Sequence, residues 1–420
     1  MEKKLKSGFT TGTCAAAAAR AAAFLLCSGR PVEQVRIITP RGQQADLKIR
    51  SSEKDENMAR CMVQKDAGDD PDITDQALLC VSVKRLESGK NSWDEMWYKD
   101  KKYPGIALTG GNGIGVVTKP GLPCPVGSHA INPVPREMIF QEVFQVKEEW
   151  QEEHFLLVTV EIPNGRELAE KTFNPRLGIL GGLSILGTTG IVEPMSQEAL
   201  AASIRLEIHM KAVEGNCYLV LVPGNYGERF LRDEKGISIN HAVRCSNFIG
   251  DAVRSAAREG FRRGLLAGHI GKLIKVAGGV ENTHSMYGDR RMEILADCLR
   301  EWIEKEGRSQ EQRIKKELTE RILVSNTTEE AMELLEKYHM HRKVGELAAE
   351  RIRRQILLWT DGKLTMDVIL FSSRLGTLGE AGNGWKEERG NLSDHSYCQI
   401  QERKKGRYES CSYQLYKSRG

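Results

Sequence analysis

None of the 10 cysteines forms a C-x-x-C pair, which removes the usual signature of a zinc ribbon or a dithiol redox site. They stand singly from Cys14 to Cys411, as the reduced and mostly buried thiols of a cytoplasmic protein do. An excess of one charge is also missing: 61 Lys and Arg face 57 Asp and Glu, a formal net charge of +4. No basic block interleaves with aromatics, which argues against nucleic acid but leaves room for a local basic pocket for an acidic small molecule. No run approaches the ~20 apolar residues of a membrane span, so no membrane partner is expected. Lys3, Lys4 and Lys6 precede the apolar residues 15–26, but Arg20 interrupts that run. Residues 28–31 offer no small-x-small cleavage site, so the segment is not read as a signal peptide. The phosphate-binding pattern G-x-x-x-x-G-K-[ST] is lacking too.

What is present divides in two. A chain of 420 residues exceeds one ordinary core. Residues 14–28 predict a helix, rich in alanine, with Thr13 placed to cap it and Gly29 and Pro31 to end it. Residues 35–39 and 45–49 read as a hairpin across Pro40, Arg41 and Gly42. Strands near 77–84 and 155–162 and the glycine-rich segments between them make the first half strand-rich. Residues 88–102 look like a polar excursion. After about residue 195 helices predicted at 197–212, 246–264, 290–305, 328–338 and 343–358 alternate with apolar strands at 217–222 and 364–371. The expected architecture is an α+β domain over residues 1–195 joined to a smaller α/β domain over 196–371, with an open sheet and C-terminal helices. Residues 372–420, dominated by Gly, Ser, Glu, Lys and Arg, read as a poorly ordered tail.

Five loops could carry chemistry. Thr10, Thr11 and Thr13, with Gly8 and Gly12, open the first helix; they suit either an anion cradle or an elaborate N-cap. Residues 66–72 hold four aspartates, a cation loop or a solvated turn, without the EF-hand spacing. Gly110, Gly111, Gly113 and Gly115 let backbone approach a ligand but precede no convincing helix, so the dinucleotide fingerprint fails. Residues 172–196, with Gly187, Thr188, Thr189 and Gly190, concentrate glycines and hydroxyls before a helix, a costly arrangement unless it binds something. Gly224, Asn225, Tyr226, Gly227 and Glu228 follow an apolar strand and fit a nucleoside site, with Tyr226 stacking and Glu228 accepting ribose hydroxyls. Two histidines, His269 and His284, sit in further polar loops.

Taken in order over residues 5–371, these segments resemble the cobalt-precorrin-5B C1-methyltransferase (CbiD) family of anaerobic, early-cobalt cobalamin biosynthesis. The resemblance is carried by residues 8–17, 66–74, 115–120, 130–135, 172–196, 223–228, 268–272 and 282–285. The tail after 372 has no counterpart in that pattern, and residues 88–103 look like a variable insertion. The resemblance implies methyl transfer from S-adenosylmethionine to C1 of a cobalt corrinoid, giving cobalt-precorrin-6A and S-adenosylhomocysteine. It implies no metal site of the protein, because cobalt arrives inside the substrate, and it leaves room for a homo-oligomer and transient contact with neighbouring pathway enzymes. S-adenosylmethionine is expected at residues 224–228, completed by Thr188, Thr189 and Gly190. Thr10, Thr11, Thr13, Lys119, Arg136, Arg176 and Lys272 are expected to meet the corrinoid's carboxylates. His269, His284 and Asp66 are the candidate general bases. A nucleotide-dependent phosphotransferase and a non-catalytic corrinoid carrier are the rival readings.

Overall fold

The computed structural model describes residues 5–86, 97–238, 240, 242–306, 312–390 and 392. The chain separates into two compact units, residues 1–197 and 198–420.

In the N-terminal unit a short strand β1 (Gly8–Phe9) leads into helix α1 (Thr11–Ser28), followed by β2 (Gln34–Ile38), β3 (Gln44–Lys54), β4 (Met58–Gln64) and β5 (Leu78–Leu86). Then come β6 (Tyr98–Lys99), β7 (Ile106–Gly110), β8 (Val116–Val117), α2 (Pro133–Glu149), β9 (Phe155–Glu161), α3 (Gly165–Ala169), β10 (Ile179–Leu180) and β11 (Ile191–Val192). Seven strands form one sheet in the order β2-β3-β4-β5-β9-β7-β6, antiparallel except for the β7–β9 pair. Alternate residues such as Val35, Ile37, Leu47, Val81, Val83, Val158 and Val160 turn to one face, where α1 and α2 cover them. By length and composition α1 could cross a membrane, contrary to the reading that no run comes close. Its alanines are fully buried here, and their small side chains let the helix lie close to both α2 and the sheet. The cap is Thr10, one turn earlier than expected: its side chain accepts from Thr13 N, while Gly29, at φ 72°, closes the other end.

Helix α2 was not expected. Pro133 stands at its first turn, where the missing N–H costs nothing. Its inward residues Met138, Ile139, Val143 and Val146 keep the helical period through a polar sequence. Most of the polar excursion, residues 87–96, lies outside the described residues.

The β4–β5 connection is the acidic loop, and it is folded on itself. Lys65, 1% exposed, pairs with Asp72 at 2.8 Å; Thr74 gives its N–H and hydroxyl to the same carboxylate. Asp75 accepts from Ala67 N and Asp70 from Met195 N. Among the described residues no cluster of three His, Cys, Asp or Glu side chains is placed to hold a metal.

The C-terminal unit runs α4 (Gln197–Val213), β12 (Tyr218–Val222), α5 (Asn225–Lys235), β13 (Ala242–Arg244), α6 (Ile249–Arg258), β14 (Arg263–His269), α7 (Ile270–Ala277) and α8 (Arg291–Glu306). It continues with α9 (Gln312–Leu323), α10 (Thr328–Lys337), α11 (His341–Trp359), β15 (Thr365–Ser372), β16 (Gly376–Ala381) and α12 (Gly384–Glu388). The sheet order is β13-β12-β14-β15-β16, parallel throughout except for β16. Strand residues alternate between two cores. Leu219, Leu221, Leu266 and Val368 pack under α6–α11, whereas Val220, Val222, Ala267 and Ile369 pack under α5 and α12.

Two expectations fail here. The helix predicted over 246–264 stops at Arg258, because Gly260 turns at φ 90°. Gly264 belongs to β14, where a Cβ would stand 2.5 Å from Leu219 O. The tail after 372 is not wholly disordered either: β16 extends the sheet and α12 seats Trp385, 4% exposed. Trp385 N donates to Asp367 Oδ2 at 2.7 Å, which also accepts from the Tyr218 hydroxyl at 2.8 Å. Its glycine-rich composition hid four inward side chains, Leu378, Ala381, Trp385 and Leu392. Residues 393–420 lie outside the described residues.

Trp385→Ala is expected to destabilise this unit by about 3–5 kcal/mol, read by chemical denaturation, and an unchanged midpoint would contradict the seated tail. For Asp72, burial alone pushes the carboxyl up, but the Lys65 ammonium and the Thr74 donors outweigh it and hold it below the usual range. A carboxyl lowered in the folded state contributes stability above about pH 4, lost as pH falls through its folded value. Asp72→Asn, which strands a buried ammonium, is expected to cost about 3 kcal/mol at neutral pH. The difference from the parent chain should shrink below about pH 4 in denaturation series.

Candidate functional site

The order of the C-terminal sheet places a crevice. From β12 the chain crosses by α5 to β13 on one side, then returns by α6 to β14 on the other. The connections leaving β12 and β14 therefore diverge, α5 over one face and α7 over the opposite one. A gap opens between them at the carboxyl ends of the two strands, the position where open α/β sheets take ligands.

Pro223 and Gly224 line one side. Gly224 has extended backbone, φ 168° and ψ −169°, and a Cβ there would meet nothing within 4 Å. The space before the first turn of α5 is thus open, with unpaired helix N–H groups at its back. Gly227 lies close beneath, its Cβ position 3.0 Å from Ala267 O, so α5 hugs β14. Tyr226 projects, 70% exposed. Glu228 does not face the gap as a free acceptor: it is 5% exposed and clasps Arg244 through both oxygens, at 2.6 and 2.5 Å. The ribose role expected for Glu228 is therefore taken over by an ion pair that fixes α5 to the end of β13.

On the other side stands Lys272, in the first turn of α7. It is partly buried, and burial pushes its ammonium down from the ordinary lysine range, with the Cys245 thiol beside it. That thiol is itself pushed up to about 12 by burial, so it stays protonated and inert. The loop after β13 follows, with Ser246 at φ 50°, a left-handed conformation unusual for serine. Asn247 accepts Thr283 N at 3.0 Å through its carbonyl. Lys275, 5% exposed, donates to Thr283 O and Gly288 O and so pins the segment carrying His284. The expected segments 223–228, 268–272 and 282–285 thus meet at one edge of one sheet. His284 is exposed; its Nδ1 accepts Met286 N at 3.2 Å.

His269 sits at this edge but is committed elsewhere. It caps α7, with Nδ1 accepting Gly271 N at 3.0 Å, and Nε2 meets Glu329 Oε1 at 2.5 Å. With both ring nitrogens engaged it has no lone pair for a substrate proton, so the base expected there is a brace. Asp66 is corrected likewise. The Lys6 ammonium at 2.6 Å and the Gly68 N–H hold its carboxyl below the usual range, the wrong direction for a base.

In the N-terminal unit the first and fourth loops prove to be partners of one another. β1 pairs with β11, Thr10 N donates to Gly190 O, and Thr13 Oγ1 to Gly190 O at 2.7 Å. Thr11 Oγ1 and Gly12 N hold both polar groups of Leu186 or its carbonyl: Leu186 N donates to Thr11 Oγ1 at 2.9 Å, and Gly12 N donates to Leu186 O at 2.9 Å. Gly187, at φ 140°, would set a Cβ 2.2 Å from Thr10 Oγ1. Thr10, Thr11 and Thr13 therefore face inward and buckle the helix start to the glycine loop, rather than presenting hydroxyls to a substrate. Of Thr188, Thr189 and Gly190, Gly190 is buried, Thr189 bonds Ile191 O, and Thr188 is exposed. Lys119 lies along Gly178 and Arg176 is partly exposed in the same loop region. Arg136 stacks its guanidinium 4.2 Å from the Tyr98 ring centre.

Sequence reasoning missed Arg244, Ser246, Lys275 and Glu329. None lies in a glycine loop: Ser246 stands out only by its left-handed backbone, and Arg244, Lys275 and Glu329 only by contacts with other elements.

The chain is similar to known proteins along most of its length. The family model CbiD matches residues 1–194, and a model described as CbiD, C-terminal domain, matches residues 282–382. A cobalt-precorrin-5B C(1)-methyltransferase of Thermoanaerobacter sp. (strain X514) is 41% identical over 381 residues, 90% of this chain and 96% of its own. The protein of the same description from Thermosipho africanus (strain TCF52B) is 39% identical over 390 residues, 92% of this chain and 100% of its own. A crystal structure of the cobalamin biosynthesis protein (cbiD) from Archaeoglobus fulgidus is 24% identical, covers 65% of this chain and 80% of its own, and has a TM-score of 0.34. With both halves matched by family models and relatives of this identity along nearly the whole length, the chain belongs to the CbiD family.

Proposed function

We propose that this chain transfers a methyl group from S-adenosylmethionine to C1 of cobalt-precorrin-5B, giving cobalt-precorrin-6A and S-adenosylhomocysteine in the early-cobalt route to cobalamin. The reading is supported by relatives described as catalysing that methylation along 90% of the chain. The observation that carries it is the open space before α5, at a switch point in strand order, with the partly buried Lys272 in the first turn of the neighbouring α7.

The C-terminal unit takes the methyl donor. Gly224 leaves room for it, the first turn of α5 offers N–H groups, Tyr226 offers a ring to stack on, and Asn225 a polar side chain. Lys272 meets an anionic group there. When bound, S-adenosylmethionine supplies an electrophilic methyl on a sulfonium, so the protein's task is in-line placement and exclusion of water. His284 is the remaining base, because His269 and Asp66 are both engaged. The N-terminal unit takes the corrinoid, with Lys119, Arg136 and Arg176 meeting its acetate and propionate groups. Exposed Phe173, Leu180 and Leu186 offer apolar surface for the macrocycle. A cytoplasmic location, self-association and brief contact with neighbouring pathway enzymes belong to the same proposal.

Incubation with methyl-labelled S-adenosylmethionine and cobalt-precorrin-5B tests the reaction: label is expected in the corrinoid, and tight corrinoid binding without transfer would instead indicate a carrier. The donor site has a separate test. Extended backbone at residue 224 suits valine, so Gly224→Val is expected to fold normally while filling the space. Titration calorimetry should then find donor affinity reduced about thirtyfold, equivalent to about 2 kcal/mol. An unchanged affinity in a folded variant would remove the donor from this crevice.

A further inference from the structure

Glu329 lies 60 positions beyond His269, on a different helix, yet its carboxylate gathers the ends of two strands. Its Oε1 meets His269 Nε2 at 2.5 Å and accepts Ser373 N at 3.0 Å, and its Oε2 accepts the Ser372 hydroxyl at 2.5 Å. Ser372 in turn accepts the N–H groups of Arg374 and Leu375. His269 ends β14 and Ser372 ends β15, so one side chain ties both carboxyl ends to the first turn of α10. The His269 ring is further set edge-on to Phe371, centroids 5.7 Å apart, and Phe371 stacks on Phe230 of α5 at 4.2 Å.

The consequence falls on α7. His269 can accept Gly271 N only while Nδ1 carries no proton, so the hydrogen must reside on Nε2, where Glu329 receives it. Gly271 is wedged in place: a Cβ would lie 3.1 Å from both His269 Nδ1 and Thr328 Oγ1. The next residue is Lys272. We propose that Glu329 is a positioning residue which, by holding His269 as the neutral Nε2–H form, fixes the first turn of α7 and points Lys272 at the donor site. The inference rests on the donor binding in the C-terminal crevice. Glu329 touches neither substrate; it acts through His269, much as outer carboxylates fix the tautomer of metal-bound histidines.

Two variants separate positioning from simple support. Glu329→Gln keeps an acceptor for Nε2–H and is expected to hold donor affinity within about threefold of the parent chain, whereas Glu329→Leu should weaken it about tenfold. Saturating donor should restore kcat of Glu329→Leu to within about threefold, because the lost interaction serves binding rather than the reacting atoms. Ring-labelled histidine spectra of the parent chain, with His269→Asn identifying the resonance, should report the neutral Nε2–H form. An Nδ1–H form or a charged ring in the parent chain would overturn the proposal without any need for the leucine variant to fold. Parent-like donor affinity in folded Glu329→Leu would overturn it as well. If Gly224→Val also left donor affinity unchanged, the crevice reading would fail; if Gly224→Val weakened it and Glu329→Leu did not, only the positioning role would fail.

Discussion

Parallel pairing of β12 with β14 is the constraint from which the candidate site follows. Two parallel neighbours deliver their chain to the same edge, and each continuation must find a helix to carry it back. Because β12 sends its chain to β13 and β14 sends its own towards β15, those helices cover opposite faces. The gap between their starts cannot be closed by either one. Everything else at this edge lines or braces that gap: Gly224 leaves it open, Glu228 and Arg244 anchor one wall, and His269 with Glu329 anchors the other.

The N-terminal unit uses glycine for a different end. Glycines 187 and 190 adopt positive φ and lie against Thr10, Thr13 and Thr39, so close that a side chain at either would displace backbone or hydroxyl. The Thr13 hydroxyl donates to the Gly190 carbonyl and the Thr11 hydroxyl accepts the Leu186 N–H, so polar backbone groups of this tight turn find partners at the helix start. The entropy lost by ordering so many glycines is met by hydrogen bonds across 175 or more positions of sequence, closing α1 onto the far end of the same unit. A loop that looked like a ligand cradle is therefore, at its threonines, a clasp.

That contrast defines how much was legible beforehand. Helix α1, the β2–β3 hairpin and β12 announce themselves through composition, turn residues and a five-residue apolar run, since each is determined locally. The carboxyl-edge loops were legible because glycine after a buried strand has few purely local uses. Helix α2 carried its period in Met138, Ile139, Val143 and Val146, but two prolines and many charges obscured it. Glu329 and Arg244 were beyond reach: a glutamate in a helix's first turn and an arginine ending a strand are ordinary in sequence. Only folding reveals that one meets His269 and the other Glu228. The same limit explains why the histidine in the most suggestive loop was read as a base, since its engagement depends on a carboxylate from another helix.

Charge completes the argument. A chain of net charge +4 has nearly as many acids as bases, and many of its cations pair with carboxylates of its own. Such pairs neutralise surface fields and leave little to attract an acidic ligand from afar. Lys275, buried a turn beyond Lys272, spends its charge on two carbonyls that hold a loop. Lys272 differs from both cases, half-sunk beside a protonated thiol with desolvation working against its charge. An ammonium held in that condition gains most from an anion brought to it, because the partner restores what burial removed. Recognition of an acidic small molecule is therefore compatible with an almost neutral protein, provided the cation is placed by the fold rather than supplied in number.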